Sequence, residues 1–413
     1  MINIHYDFQY DENQLIITMI VSRKDTKKLI IELPNKYASI TNLHKNIKIL
    51  ESNVNFNNER AYSNKKEIIV RYTFKKYYDS THPNVNKRFN VIKNGTFLFL
   101  NVMNGLAVVY NMEDNVKIKF STNYDMLISS IGLLKKNKSV TKVFDQNYRR
   151  LFFVFSNNYY KSKHIYIGYY DKSKMFIDLK KLIHKLNKLI DTCDKFFNIK
   201  SKQIYVISYQ DFIGKQKESY GSGYYYGFEY TNSYPKKPID IEQHTLIYFA
   251  HELYHNYNVS GKIPISWITE GFTEFFCRYF LLTKSGFTYE ANTFIKKYYH
   301  SKFKNIKNNQ INHENYWNDN EINKLSYIRG FVYALYLYQK YGNMFLIRYK
   351  NLVRVVYKLK KQGKYSKIDN NLIKKLLHDD NFNNYIINGK TIQLESSSTQ
   401  YGVPYLMVSD IFI

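Results

Sequence analysis

HELYHNYNVSGKIPISWITEGFTE, residues 251–274, decides the reading of this chain. Residues four apart on a helix share one face, so the imidazoles of His251 and His255 can reach a single zinc ion. Glu252 stands between them, placed to take a proton from a metal-activated water. A catalytic zinc takes three protein ligands and keeps a fourth position open. The histidines supply two. The third must come from elsewhere, and the stretch 267–274 offers two carboxylates one turn apart, Glu270 and Glu274.

Helix signals flank the histidines. Asp240 with Gln243 forms a capping-box-like pattern after Pro238, and the helix is expected to run through His255 and end near Asn258 or Gly261. Ser266 is placed to cap a second helix reaching Leu282, which carries Glu270 and Glu274. His244 reads as a packing or surface histidine. Upstream, Leu179, Leu182, Ile183, Leu186, Leu189, Ile190 and Cys193 mark one face of a helix with Asp178 as its cap. Downstream, helices are expected over 325–341, 344–360 and 370–378, and short strands or loop after Asn381.

The region before residue 170 has the other periodicity. Ile4, Tyr6, Phe8 and Tyr10 alternate with polar residues, as a half-buried strand requires. Similar runs occupy 15–21, 29–33, 68–74, 97–100, 116–120, 151–155 and 165–170, separated by Asn, Lys and Ser clusters, which predicts a sandwich-like domain. Ile204 to Ile207 reads as a short strand, and Tyr220 to Tyr230 as an exposed turn leading into another.

Composition narrows the class. The 413 residues are enough for a substantial core and two or three domains. No apolar run is long enough to span a bilayer, and MINIHYDFQYDENQ lacks the layout of a signal peptide, so a cytoplasmic location is expected. Only Cys193 and Cys277 are present, which excludes a disulfide framework and a cysteine zinc site. The net charge of +27 raises nucleic-acid binding as a class. The basic residues are spread along the whole chain, with no accompanying binding fold or basic helix, so nucleic acid is not the expected partner. The Lys-, Asn-, Ile- and Tyr-rich composition reads instead as the coding bias of an AT-rich genome, and the charge favours acidic partners by steering.

HELYHNYN followed by WITEGFTEF resembles the gluzincin metallopeptidases, most closely the glycyl aminopeptidase family and more distantly the aminopeptidase N family. In both, a Trp-x-x-Glu-Gly-Phe-like stretch supplies the third zinc ligand through the glutamate before the glycine, which is Glu270 here. Counting the usual aminopeptidase N gap from the second histidine lands instead on Glu274. Local context fixes helix orientation better than loop length does. The reading therefore takes Glu270 as ligand, a shortened loop over 257–265, and Glu274 as the acid that orients a ligand histidine.

The resemblance extends to two further segments. YGFEYTNS, residues 226–233, is similar to the Gly-Leu-Glu-His-x-x-Ser stretch of glycyl aminopeptidases. That likeness implies substrate binding by Gly227 and Glu229, with Glu229 holding the free α-amino group. Tyr226 replaces a family glycine and Tyr230 a family histidine, a departure where substrate backbone would approach closely. Tyr327-Ile328-Arg329-Gly330 resembles the Tyr-x-Lys-Gly stretch whose tyrosine hydrogen-bonds the tetrahedral intermediate, with Arg329 in place of the lysine. The run Asn94 to Leu100 faintly echoes a strand of the family's N-terminal domain.

The resemblance implies an α+β protein: an N-terminal β-sandwich-like domain over 1–172, a thermolysin-like zinc catalytic domain over 173–300 and a helical C-terminal region over 301–413. It implies a zinc-dependent aminopeptidase with one Zn2+ per chain, acting on peptides. Two alternatives remain, an endopeptidase of the same clan and a non-catalytic basic binding protein.

Overall fold

The computed structural model describes residues 2–11, 13–35, 41–78, 91–94, 97–110, 116–129, 131–144, 151–170, 177–199, 205–213, 220–224, 227–234, 240–258, 267–311, 316, 319–362 and 364–412. The chain is mixed α+β, with sheets in its N-terminal part and helices in its C-terminal part. It divides into two compact units, 1–183 with 202–242, and 184–201 with 243–413.

In the first unit, the period of two along a strand sends alternate side chains to opposite faces. Asn3–Tyr10 accordingly buries Ile4, Tyr6, Phe8 and Tyr10. This strand pairs antiparallel with Leu15–Ser22 and parallel with Val116–Thr122 inside a six-stranded sheet. A four-stranded and a five-stranded sheet accompany it. One apolar cluster joins their inner faces, and within it the rings of Phe8 and Phe153 lie 4.9 Å apart.

A further sheet runs in the order Tyr159–Lys161, Ile165–Tyr169, Tyr205–Ile213, Gly227–Tyr234, Tyr220–Tyr224. Its central pairings are parallel, so strand contact continues across residue 172. Parallel neighbours need a long crossover, and helix α1 (Leu179–Phe197) lies in the connecting stretch. The Asp178 carboxylate caps that helix by accepting from the Lys180 and Lys181 amides. Tyr220–Tyr224 forms a strand paired with Gly227–Tyr234, where the sequence suggests an exposed turn. A Gly- and Tyr-rich run has no alternation to reveal its backbone pairing. Ile204 and Tyr226 lie outside the described residues.

The second unit is helical: α2 (Ile241–Tyr254), α3 (Thr273–Leu281), α4 (Lys284–His300), α5 (Asn320–Tyr341), α6 (Asn343–Lys361) and α7 (Asn370–Leu377). Every residue of α5 from Arg329 to Leu337 is buried, so this stretch of the helix is enclosed on all sides, while Glu321, Lys324 and Lys340 nearer its ends are exposed. Its start is five residues earlier than the apolar pattern suggests, because the Asp319 side chain accepts from the Glu321 and Ile322 amides. α2 ends at Tyr254, short of His255 and of the end expected near Asn258 or Gly261, although the His255 amide still donates to His251 O at 3.2 Å. The single helix expected up to Leu282 is a π-helical turn, Trp267–Phe272, followed by α3. Pro238, Gly261 and Ser266 lie outside the described residues. Among the described residues, no helix is long and apolar enough to cross a membrane.

Candidate metal centre

Two contacts hold the π-helical turn in place, one with Asn258 just beyond α2 and one with α5. The first is polar. Asn258 Nδ2 donates to Ile268 O at 2.9 Å, Thr269 O at 3.0 Å and Thr273 Oγ1 at 2.7 Å, while Tyr349 on α6 donates to Asn258 Oδ1 at 2.7 Å. One buried amide thus ties two carbonyls of the turn and the hydroxyl at the start of α3 to the segment after α2. The second contact is backbone on backbone. A Cβ placed on Gly271 would stand 2.3 Å from Gly330 Cα, and one on Gly330 would stand 1.8 Å from Trp267 O. Only glycines allow the turn and α5 to meet so closely.

The outcome is a convergence of three donor atoms. His251 Nε2 and His255 Nε2 are 3.0 Å apart, and Glu270 Oε2 lies 3.3 Å from the first and 3.4 Å from the second. The opposite ring nitrogens face other groups. His251 Nδ1 stands 3.1 Å from Glu274 Oε1, and His255 Nδ1 stands 3.4 Å from Thr273 Oγ1. Thr273 already donates its proton to Thr269 O, so towards His255 it can only accept. A carboxylate likewise accepts only. Both imidazoles are therefore assigned the Nδ1–H tautomer, which turns two Nε2 lone pairs and a carboxylate oxygen towards one point.

Three facing acceptors call for a cation. Tetrahedral zinc with bonds of about 2.0–2.1 Å sets its ligand atoms about 3.3–3.4 Å apart, close to the separations found here. The donor chemistry, two imidazoles and a carboxylate, suits the same ion. His251, His255 and Glu270 fit a metal.

Electrostatics carries the same demand. Burial pulls the His251 pKa down, but Glu274, Glu270 and Glu252 outweigh it and push it up to about 10. Burial raises Glu274, yet Arg278 and His251 hold its carboxyl at about 2. Glu270 is held far below the usual carboxylate range by His255 and His251, against the effect of burial. An acid cluster of this kind recruits a positive charge, whether proton or metal.

Other residues singled out in the sequence fall at defined places. Glu252 is half-buried on α2 beside the histidines. Tyr327, on α5, stacks its ring on His251 at 5.9 Å between centroids. Burial, reinforced by Glu270 and Tyr316, pushes its phenol well above the ordinary range, so it keeps its proton as a donor. Gly227 and Glu229 belong to the first unit, buried in a strand flanked on both sides.

Sequence reasoning missed three neighbours. Tyr316 hydrogen-bonds Tyr327 and feels Glu270, and burial with that carboxylate pushes its phenol up to about 12; no sequence signal marks it. Arg278 contacts Glu274 Oε2 through Nη1 and donates from Nε to Glu290 Oε2 at 3.0 Å. The Glu274-to-Arg278 spacing of one helical turn is a signal that could have exposed that pair.

No protein-family model and no curated protein matches the sequence. Solved structures do. An aminopeptidase N family protein from Idiomarina loihiensis is 13% identical with a TM-score of 0.70, covering 96% of this chain and 77% of that one. Native yeast LTA4 hydrolase is 9% identical with a TM-score of 0.51, over 97% of this chain and 69% of that one. Legionella pneumophila aminopeptidase A, in complex with aspartic acid, is 13% identical with a TM-score of 0.54. The match covers 94% of this chain and 49% of that chain. The chain shares its fold with these three structures.

Proposed function

We propose that the protein is a gluzincin-type zinc aminopeptidase, hydrolysing the N-terminal bond of peptides. The observation that carries this is the meeting of His251 Nε2, His255 Nε2 and Glu270 Oε2 at one point, with both Nδ1 atoms turned to other partners. The fold shared with aminopeptidases supports it. A bound zinc would supply Lewis acidity towards a carbonyl oxygen and lower the pKa of water.

The chain's own residues do the rest. Glu252 takes the proton of the attacking water and delivers it to the leaving amine. Tyr327, protonated and seated against His251, donates to the carbonyl oxygen as it gains charge. By resemblance, Glu229 pairs with the substrate's ammonium group and Gly227 admits its backbone. In this reading the catalytic domain is thermolysin-like and spans 173–300, between an N-terminal domain and a helical C-terminal region.

A panel of fluorogenic aminoacyl amides, free and N-acetylated, tests the proposal together with metal analysis. Chelator-sensitive cleavage of free amides alone is expected. Equal cleavage of acetylated substrates would make the protein an endopeptidase. A chain that binds no metal and cleaves nothing would end the reading.

A further inference from the structure

His251 belongs to two overlapping donor sets. Its Nε2 faces His255 and Glu270, while a ligand atom of the same ring also lies within 4.8 Å of Glu274 and Cys277. The two cysteines rule out a site built of cysteines, but one thiolate with an imidazole and a carboxylate makes a mixed donor set that zinc accepts, and the sulfur makes this second set the softer one. A metal held there through Nδ1 would take the place of the proton between His251 and Glu274. Something has to choose between the sets.

We propose that Arg278, tethered by Glu290, makes that choice by occupying Glu274 and keeping metal off the Nδ1 side of His251. The guanidinium touches Glu274 Oε2, donates to Glu274 O at 3.2 Å, and lies 3.7 Å from Cys277 Sγ. Glu290 on α4 holds its Nε, and its carbon centre sits 4.9 Å from the Phe294 ring. The side chain is thus fixed from two helices and buried among the atoms of the rival set. Arginine does not give up its proton in proteins, so the charge there is permanent. A divalent cation entering the Nδ1 set would meet that charge and would have to displace it from Glu274. With Glu274 so engaged, its second oxygen is left for His251 Nδ1, and Nε2 is presented to the first set. Arg278 is a positioning residue, and this role rests on the metal reading given above.

Cobalt(II) loading of the full chain tests it, because thiolate ligation produces a charge-transfer band that nitrogen and oxygen ligation does not. The wild type should bind one cobalt without the band. Arg278→Met should show the band, lose it again in Arg278→Met with Cys277→Ser, and bind metal about 10–100-fold more weakly at the first set. Arg278→Lys, which keeps the charge, should stay free of the band. A folded Arg278→Met protein with the wild-type spectrum and affinity would overturn the proposal. If Arg278→Met does not fold, Glu290→Gln is read by chelator competition: a severalfold loss of affinity supports the tether, and unchanged affinity overturns it. A wild type that binds no cobalt fails at an earlier step, since that result removes the metal reading itself.

Discussion

Glu274 Oε1 lies 3.1 Å from His251 Nδ1, on the side of the ring that faces away from Glu270 and His255. The two glutamates one turn apart thus address opposite nitrogens of one imidazole. Glu270 shares the donor point, while Glu274 stands behind the ring. This arrangement separates their expected contributions.

Glu270→Gln should abolish stoichiometric zinc binding, because it removes a donor. Glu274→Gln should keep the metal but weaken it by about 10–100-fold, the usual cost of losing an outer partner of a ligand histidine. Zinc titration against a chromophoric chelator measures both. Equal losses in the two variants would contradict the division of roles.

Glu252→Gln is isosteric and lies outside the donor set, so metal content should match the wild type. Turnover should fall by about 10²–10⁴-fold, the range for removing a general base. The check is metal analysis beside aminoacyl-amide hydrolysis on one preparation. Normal turnover would refute Glu252 as the base.

Gly330→Ala would place a methyl group against Trp267 O, and Gly271→Ala would place one against the backbone of α5. Each should lower the urea midpoint by an amount corresponding to about 1–3 kcal/mol or more, as overpacking does. Gly342→Ala is a contrasting case: nothing crowds its Cβ, but its φ of +51° makes any loss one of backbone conformation. Chemical denaturation of the three variants compares the two causes.

Both thiols should be silent in the native state. Burial pushes Cys277 up to about 12 and raises Cys193 well above its ordinary value. Neither should react with an aromatic disulfide reagent near pH 8 until denaturant is added. A fast-reacting native thiol would contradict this packing.

Asp410 is held below its ordinary 3.8 by the Met407 amide and by Ser397, which outweigh burial. A carboxyl depressed on folding contributes stability above its unfolded pKa and loses it as pH falls through the folded value. The stability gap between wild type and Asp410→Asn should therefore shrink from about pH 6 to about pH 2. A gap that widens in acid would contradict the hydrogen bonds.

Much of this was open to reading because the signals are periodic. The alternation of Ile4, Tyr6, Phe8 and Tyr10 gives a strand, and the spacing of His251 and His255 gives a shared helix face. What escaped is set by tertiary context. The π-helical turn around Glu270 is stabilised by Asn258 and by glycine contact with a helix some sixty positions later in the chain, which no local pattern records. Tyr220–Tyr224 becomes a strand because a neighbour pairs with it. Tyr316 reaches Tyr327 and Glu270 through folding alone, and among 42 tyrosines its type says nothing.

The glycine-to-glycine seam has a mechanical corollary. With no side chain between Gly271 and Gly330, there is no cushion to absorb sliding, so the acid at 270 and the phenol at 327 ride on a common chassis. A push on α5 anywhere along its enclosed length would shift both together and leave their spacing intact. With glycine already on both sides, no exchange across the seam could make room for a side chain, so the two positions are held to the same residue.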